Sequence, residues 1–351
     1  MSAASRRVLR FVAPGSVSVD TEPRPVPEPA EVQVEVSRSA VSPGTEKLVY
    51  RGEAPSDLAA DADIDALSGG LDFPLTYGYA TVGRVSRLGA EVPDDWAGRR
   101  VFSFQPHVSH FTAAPDALVP LPDDVDDADA VLLPNVETAV NLCMDGRPMI
   151  GEDVVVFGQG VVGLLTTRLL ADHPVGTLYT VEPRPGRRDR STEFGADQSF
   201  APDALSAMAD RLDLRHPDAR EADDDQYEGA DLVYELSGQP DVVNQALSVA
   251  GYAARIVLGS WYGRRQAPMD FGGRFHRSHA EIRSSQVSRI HPRHRGRWTK
   301  GRRLATVLRL LPTLTPSALI TDAIPLDEAA SVYQRLDEGD DDLLQPVFHY
   351  D

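Results

Sequence analysis

Cysteine and lysine are almost missing from this chain of 351 residues. Cys143 is the single cysteine, which excludes an intrachain disulfide and any zinc cluster built from several thiolates. It lies in an apolar helical run and reads as a packing residue. Lysine occurs only at Lys47 and Lys300, so arginine carries nearly all of the 35 basic charges. No apolar run approaches the roughly 20 residues of a membrane-spanning helix. Met1–Arg7 has no apolar core of a secretory leader. A globular, cytoplasmic protein with no membrane partner is expected.

Acidic residues are abundant: 53 against 35 basic, a net charge of −18. They cluster in runs such as Asp123-Asp-Val-Asp-Asp-Ala-Asp129, Asp223-Asp-Asp225 and Asp340-Asp-Asp342. Such a surface stays hydrated in concentrated salt, where screening removes its self-repulsion. The lysine depletion favours a cytoplasm of high ionic strength, as in a halophilic archaeon, over an acidic mesophile. Negative charge of this size argues against nucleic acid as a partner.

The most informative stretch is Glu152-Asp-Val-Val-Val-Phe-Gly-Gln-Gly-Val-Val-Gly163. Val154–Phe157 has the composition of a buried parallel strand. Gly158, Gly160 and Gly163 follow in G-x-G-x-x-G spacing, and Val161 and Val162 open an apolar helical pattern that runs to Ala171. Gly158 allows the tight turn, Gly160 admits a pyrophosphate against the backbone, and Gly163 lets helix and strand pack closely. A second strand, Thr177–Val181, ends in Glu182, roughly 20–25 positions beyond the first glycine, where an acid accepts hydrogen bonds from an adenosine ribose. The alternative is a glycine-rich strand–helix turn without a nucleotide. Glu182 would repel a 2′-phosphate and favours NAD, whereas Arg184, Arg187 and Arg188 would neutralise one and leave NADP open.

Along the rest of the chain, Val8–Val12 and Val17–Val19 read as a hairpin turned by Pro14-Gly15. Glu31–Val36 alternates as a half-exposed strand. Ser42-Pro-Gly-Thr-Glu46 enters a short helix, with Thr45 and Glu46 near its first turn. Residues 54–72 read as a surface excursion. Phe73–Val85 reads as a loop feeding a strand, and Asp94–Phe104 as a turn followed by another strand, with His107 and His110 at a strand end. A helix is expected without interruption from Ala128 to Met144. Strands then alternate with helices through Leu232–Leu236, capped by Ser237-Gly238, and Arg255–Gly259, which implies a doubly wound parallel sheet. The tail returns to helix in Gly301–Leu311 and Leu326–Leu336 and ends in a short strand, Pro346–His349.

This order of parts resembles the medium-chain dehydrogenase/reductase superfamily, the relatives of zinc alcohol dehydrogenase. The resemblance covers Val34–Glu46, Pro74–Val85, Gly98–Phe104, Asn135–Ala139, Gly151–Gly163, Glu182–Asp197 and Gly229–Ser260. Gly44-Thr-Glu46 with Tyr50-Arg-Gly52, and Phe275-His-Arg277 with Ser284-Ser-Gln-Val287, resemble the branch containing bacteriochlorophyllide a dehydrogenase, which oxidises a secondary hydroxyethyl group. The resemblance implies an α/β fold: a GroES-like β-rich catalytic domain over 1–145, completed by 286–351, and a Rossmann domain over 146–285. It also implies a homodimer or homotetramer paired through edge strands of the cofactor domain, with Arg255–Gly259 and Ser284–Ile290 as candidates.

The chain departs from zinc members at their metal ligands. A cysteine is replaced at Ser42-Pro43, Gly-His-Glu becomes Gly78-Tyr79-Ala80, and the third ligand position falls near Leu133-Pro134. Catalytic zinc takes three Cys, His or acidic ligands, so zinc is not expected. Hydride transfer still needs a group that moves a proton. By the resemblance, Glu46 stands near the reacting carbon as base or orienting group, against a plain charge at a helix N-terminus. Tyr79 is a phenolic proton donor or a packing residue. His107 is a proton relay, and His110 a substrate neighbour; a metal pair or surface roles are the alternatives. Thr138 matches a threonine on the nicotinamide side, with Asn135 and Glu137 as substrate contacts or helix-start residues. Ser237, Gly238 and Gly259 lie at strand ends that bind ligands in doubly wound sheets. His276, His279, His291 and His294 among arginines read as a solvated basic face. Three functions stay open: a zinc-independent secondary alcohol dehydrogenase, an NADPH-dependent enone or quinone reductase, and a non-catalytic dinucleotide-binding protein.

Overall fold

In the computed structural model, residues 5–55, 69–213 and 228–350 are described. The expected excursion at 54–72 therefore falls largely outside the described residues, as does the acidic run at 223–225. Two compact units divide the chain: Met1–Pro134 with Leu304–Asp351, and Asn135–Arg303. The sequence had suggested divisions after 145 and after 285.

The first unit opens on β1 (Ser5–Ala13) and β2 (Ser16–Pro23), an antiparallel hairpin. Gly15 has φ +74°, a left-handed turn position that glycine takes without steric cost. Next come β3 (Val32–Ala40), α1 (Pro43–Tyr50), β4 (Thr81–Leu88), β5 (Arg100–Ser103), β6 (His110–Ala113), β7 (Val119–Pro120) and α2 (Asp127–Ala130). Strand β3 pairs with both β4 and β6. The alternation in β3 predicts one wet face; Val32, Val34 and Val36 are buried and Glu35 is exposed as it requires, but Gln33 is buried as well. Gln33 is kept inside because its carboxamide bonds to the Pro25 carbonyl and its own oxygen accepts from Ser86. A polar residue on a strand is thus a weak sign of exposure when a partner is at hand.

The continuous helix expected from Ala128 to Met144 is in fact two. α2 ends at Ala130, and α3 (Leu133–Gly146) starts afresh. Pro134 is the physical reason. It has no N–H to offer, and its ring would clash with the carbonyl of Ala130 in an unbroken helix, but it is tolerated in a first turn.

The second unit continues with β8 (Asp153–Phe157), α4 (Val161–Ala171), β9 (Thr177–Val181), α5 (Pro185–Glu193), β10 (Gln198–Phe200), α6 (Leu205–Asp213), β11 (Ala230–Glu235), α7 (Val242–Ser248), β12 (Ala250–Leu258) and β13 (Glu281–Ser284); α8 (Lys300–Leu314) begins in it and runs on into the first unit. Among the described residues, six strands form a parallel sheet in the order β10-β9-β8-β11-β12-β13. Every residue of β8 and of β9 is buried, as continuous apolar runs in parallel sheets predict. Arg255–Gly259 is not an edge, since β12 is flanked by β11 and β13; β13 is the edge on that side. Burial pushes the Cys143 thiol up to about 12, which makes it a packing group rather than a nucleophile.

The chain ends in the first unit with β14 (Ile320–Pro325), α9 (Ala329–Glu338) and β15 (Gln345–His349). β15 pairs antiparallel with β3 and parallel with β14, completing a seven-stranded sheet. Its Phe348 joins Phe11, Tyr77 and Tyr333 in an apolar cluster beneath α1.

Candidate active site and dinucleotide cradle

The three glycines of the β8–α4 turn are there for different reasons. A side chain on Gly158, which has φ +87°, would meet the backbone of Ser237 at 2.6 Å. One on Gly163 would meet the Gly158 carbonyl oxygen at 2.0 Å. Both are demanded by the fold. At Gly160 nothing lies within 4 Å of the added carbon, and φ is −73°. The chain itself makes no demand for bare backbone at this position. Val161 and Val162 begin α4 directly behind this open position.

Glu182 stands at the end of β9 and is buried. One carboxylate oxygen accepts from the Gln159 N–H at 2.8 Å, the other from the Arg184 N–H at 3.1 Å. The acid thus anchors the glycine turn as well as facing it. Arg188 donates to the carbonyls of Glu182 and Pro183, at 2.9 and 2.7 Å. Arg187 is half-buried on the first turn of α5. Ser237 and Gly238 follow β11, and Gly259 follows β12. The Gly238 N–H donates to Ser260 Oγ at 2.9 Å, tying the two strand ends together.

The first unit holds a second cluster, built around the start of α1. Ser42 is the residue before this helix and belongs to a favoured capping type. Its hydroxyl makes no cap. Instead, Tyr79 donates to Ser42 Oγ at 2.5 Å, with Thr45 Oγ1 at 3.5 Å. The Ser42 N–H is satisfied by Glu46 Oε1 at 2.7 Å. Glu46 Oε2 receives His107 Nε2 at 3.0 Å and the Tyr333 hydroxyl. On the far side of the ring, His107 Nδ1 meets Ser39 Oγ at 2.7 Å, which bonds in turn to the Tyr350 hydroxyl at 2.7 Å. Burial and the neighbouring carboxylate push the Tyr333 phenol well up; burial does the same for Tyr350.

Two layers result. Tyr79, Ser42 and Thr45 are half-buried and can meet a ligand, whereas Glu46 and His107 are at 0% exposure. His107 supports the outer layer from behind: a side chain on Gly78 would lie 2.7 Å from its ring. His110 does not join. It sits on β6, bonded to Ser109 Oγ at 3.0 Å, and burial holds its pKa below the ordinary value.

Glu137 is engaged elsewhere too. Arg303, fully buried, donates to Glu137 at 2.9 Å and also to Asn141 and the Val287 carbonyl. Burial raises the Glu137 pKa against the lowering pull of Arg303. Asn135 is buried and Thr138 half-buried on the same helix. Sequence reasoning missed Ser42 as a hydrogen-bond partner of Tyr79, and Ser39, Tyr333, Tyr350 and Arg303 entirely. Ser42 had a signal, since it occupies a ligand position of the zinc enzymes; the others had none.

No family model matches the chain. Over 152 residues it is 29% identical to probable D-xylulose reductase A of Arthroderma otae, covering 43% of this chain and 40% of the relative. Over 148 residues it is 26% identical to (R,R)-butanediol dehydrogenase of Bacillus subtilis, covering 41% and 39%. The chain thus spans about two fifths of the length of these curated relatives. Among solved structures, 2R,3R-butanediol dehydrogenase from Bacillus subtilis superposes with a TM-score of 0.78 at 18% identity, over 99% of this chain and 100% of that one. An Escherichia coli alcohol dehydrogenase complexed with NADH gives 0.76 at 17%, over 99% of both chains. The fold is therefore that of the medium-chain alcohol dehydrogenases, a GroES-like β-rich unit with a Rossmann unit.

The zinc implied by that family fits poorly here. At the positions that the resemblance gives its ligands stand Ser42 and Tyr79, two hydroxyls already bonded to each other, and the stretch near Leu133-Pro134, whose side chains are hydrocarbon. Zinc takes thiolate, imidazole or carboxylate ligands. Among the described residues, no group of three or more His, Cys, Asp or Glu is placed to hold a metal.

Proposed function

We propose that this chain is a zinc-independent, NAD-dependent dehydrogenase that interconverts a secondary alcohol and a ketone. The observation that supports the reading is the Ser42–Tyr79 hydrogen bond, between two hydroxyls at positions where the resemblance expects metal ligands. Bound NAD(H) supplies the hydride acceptor or donor. In the reducing direction, Tyr79, which donates to Ser42 in the resting arrangement, gives its phenolic proton to the substrate oxygen, and the phenolate regains a proton from solvent through the Ser42 hydroxyl, which turns from acceptor to donor; Thr45 orients the pair. Glu46 and His107 act as positioning groups that fix Ser42 and Gly78-Tyr79. NAD is favoured over NADP because Glu182 presents a carboxylate at the ribose position, while Arg188 is committed to two backbone carbonyls. Asn135 and Thr138 are proposed ligand-side contacts, and a homodimer or homotetramer is expected. The names of the relatives, a xylulose reductase and a butanediol dehydrogenase, support an alcohol–ketone couple.

The test is turnover with NAD and with NADP in molar KCl across secondary alcohols, ketones and enones, alongside metal analysis. Alcohol oxidation with NAD by metal-free protein supports the reading. Reduction of enones alone, with NADPH, replaces it by an enone reductase. A full equivalent of tightly bound zinc required for turnover removes the Tyr79 mechanism.

A further inference from the structure

The C-terminal ends of β11 and β12 are laced together by a polar knot, centred on one buried carboxylate, that the preceding mechanism does not use. Glu235, the last residue of β11, is at 0% exposure. One carboxylate oxygen accepts from the Ser237 N–H at 2.8 Å and from the Ser237 hydroxyl; the other accepts from the Tyr262 hydroxyl. Ser260 donates to the Glu235 carbonyl at 3.3 Å and accepts from the Gly238 N–H. Arg265 closes the knot, donating to the Gly238 carbonyl at 2.6 Å and to the Gln239 side chain at 3.0 Å. A buried carboxylate is costly unless each oxygen finds donors. Here those donors come from the two loops that leave the sheet side by side.

The location gives this knot a purpose. The strand order reverses at β8, with β9 on one side and β11 on the other. Ligands of doubly wound sheets lie beyond the strand ends at such a reversal. Glu182 marks the β9 side for the adenosine half, and the Gly158–Gly163 turn takes the two phosphates. The ends of β11 and β12 are what remains for the other half of the molecule. A side chain on Gly158 would strike Ser237, so the phosphate turn and the knot are in direct contact.

We propose that Tyr262 and Glu235 form a positioning pair that fixes the 237–239 and 259–262 loops for the nicotinamide half of the coenzyme. The proposal rests on the dinucleotide reading given above. Losing the phenol leaves one oxygen of Glu235 without its donor and frees the second loop, while the adenosine side is untouched.

The test compares two ligands, NADH and ADP-ribose, which lacks the nicotinamide ring. Calorimetry in molar KCl on the full chain gives both dissociation constants for the native protein, Tyr262→Phe and Glu235→Gln. The expected result is NADH binding weakened roughly two- to tenfold in Tyr262→Phe, the loss of one buried hydrogen bond. ADP-ribose should stay within about twofold, which also shows that the variant is folded. Glu235→Gln keeps one acceptor oxygen and should follow the same split. Unchanged NADH binding in Tyr262→Phe, or an equal loss for both ligands, overturns the positioning role. Native protein that binds neither ligand overturns the dinucleotide reading itself, a result distinct from either of these.

Discussion

His107 Nε2 lies 3.0 Å from Glu46 Oε2, and neither side chain reaches solvent. The pair therefore cannot touch a substrate directly in this arrangement. It holds Ser42 through its N–H, and the His107 ring packs beside Gly78, next to Tyr79 in the chain.

Glu46 receives three donors, from Ser42, His107 and Tyr333. Replacing it with alanine should cost on the order of 3 kcal/mol or more of stability, because buried donors are left unsatisfied. Denaturant titration in molar KCl measures this. An unchanged midpoint would mean that the buried network does not hold the fold together.

Gly160 and Gly163 should separate binding from folding. Gly163→Ala forces a carbon to within 2.0 Å of the Gly158 carbonyl and should lower the melting temperature. Gly160→Ala meets nothing in the chain, so it should fold normally and lose coenzyme affinity by roughly tenfold or more, as a methyl group intrudes on the phosphates. Normal coenzyme binding in folded Gly160→Ala would contradict the cradle.

Tyr79→Phe removes the proposed proton donor and leaves the ring in place. The turnover number should fall by about 10²–10⁴-fold, with coenzyme affinity unaltered. Ser42→Ala should fall less, since water can replace a relay. Full activity in Tyr79→Phe would remove Tyr79 from the chemistry.

Glu22 gives an acid-side signature. Hydrogen bonds from Arg6, at 2.7 and 3.1 Å, and a further one from Arg10 hold its carboxyl below the ordinary value of 4.5. A depressed folded-state pKa means stability that is present above 4.5 and lost as pH falls through the lower folded value. Glu22→Gln should flatten that part of the stability–pH curve. A curve identical to the native one would show that the hairpin ion pairs contribute nothing.

The net charge of −18 predicts a protein whose stability rises with salt. Unfolding midpoints measured from dilute buffer to molar KCl should increase. A steady fall across that range would remove the halophilic reading.

Much of the Rossmann unit was legible in the sequence because its signals are local. Val154–Phe157 leads directly into the glycines, α4 begins and ends where its apolar pattern does, and Glu182 follows its strand. Pro134 also carried its message in plain view, though the apolar pattern around it concealed the break in the helix. The active-site layers were less legible. Glu46, His107 and Tyr79 could be singled out as residue types at suggestive positions, but not sorted into those that face a ligand and those that stand behind.

The chain by itself determined the glycine-rich turn, the acid after the second strand of the Rossmann unit and the acidic composition, since each depends on residue identity over short spans. Only the tertiary structure decided that Ser42 bonds to Tyr79 rather than capping its helix, that Tyr333 and Ser39 complete the Glu46–His107 network, and that Glu137 is spent on Arg303. Those partners are separated by 37, 287, 68 and 166 residues. No local pattern encodes such a pairing, because a buried hydrogen bond is selected by which side chains the packed core leaves within reach of one another.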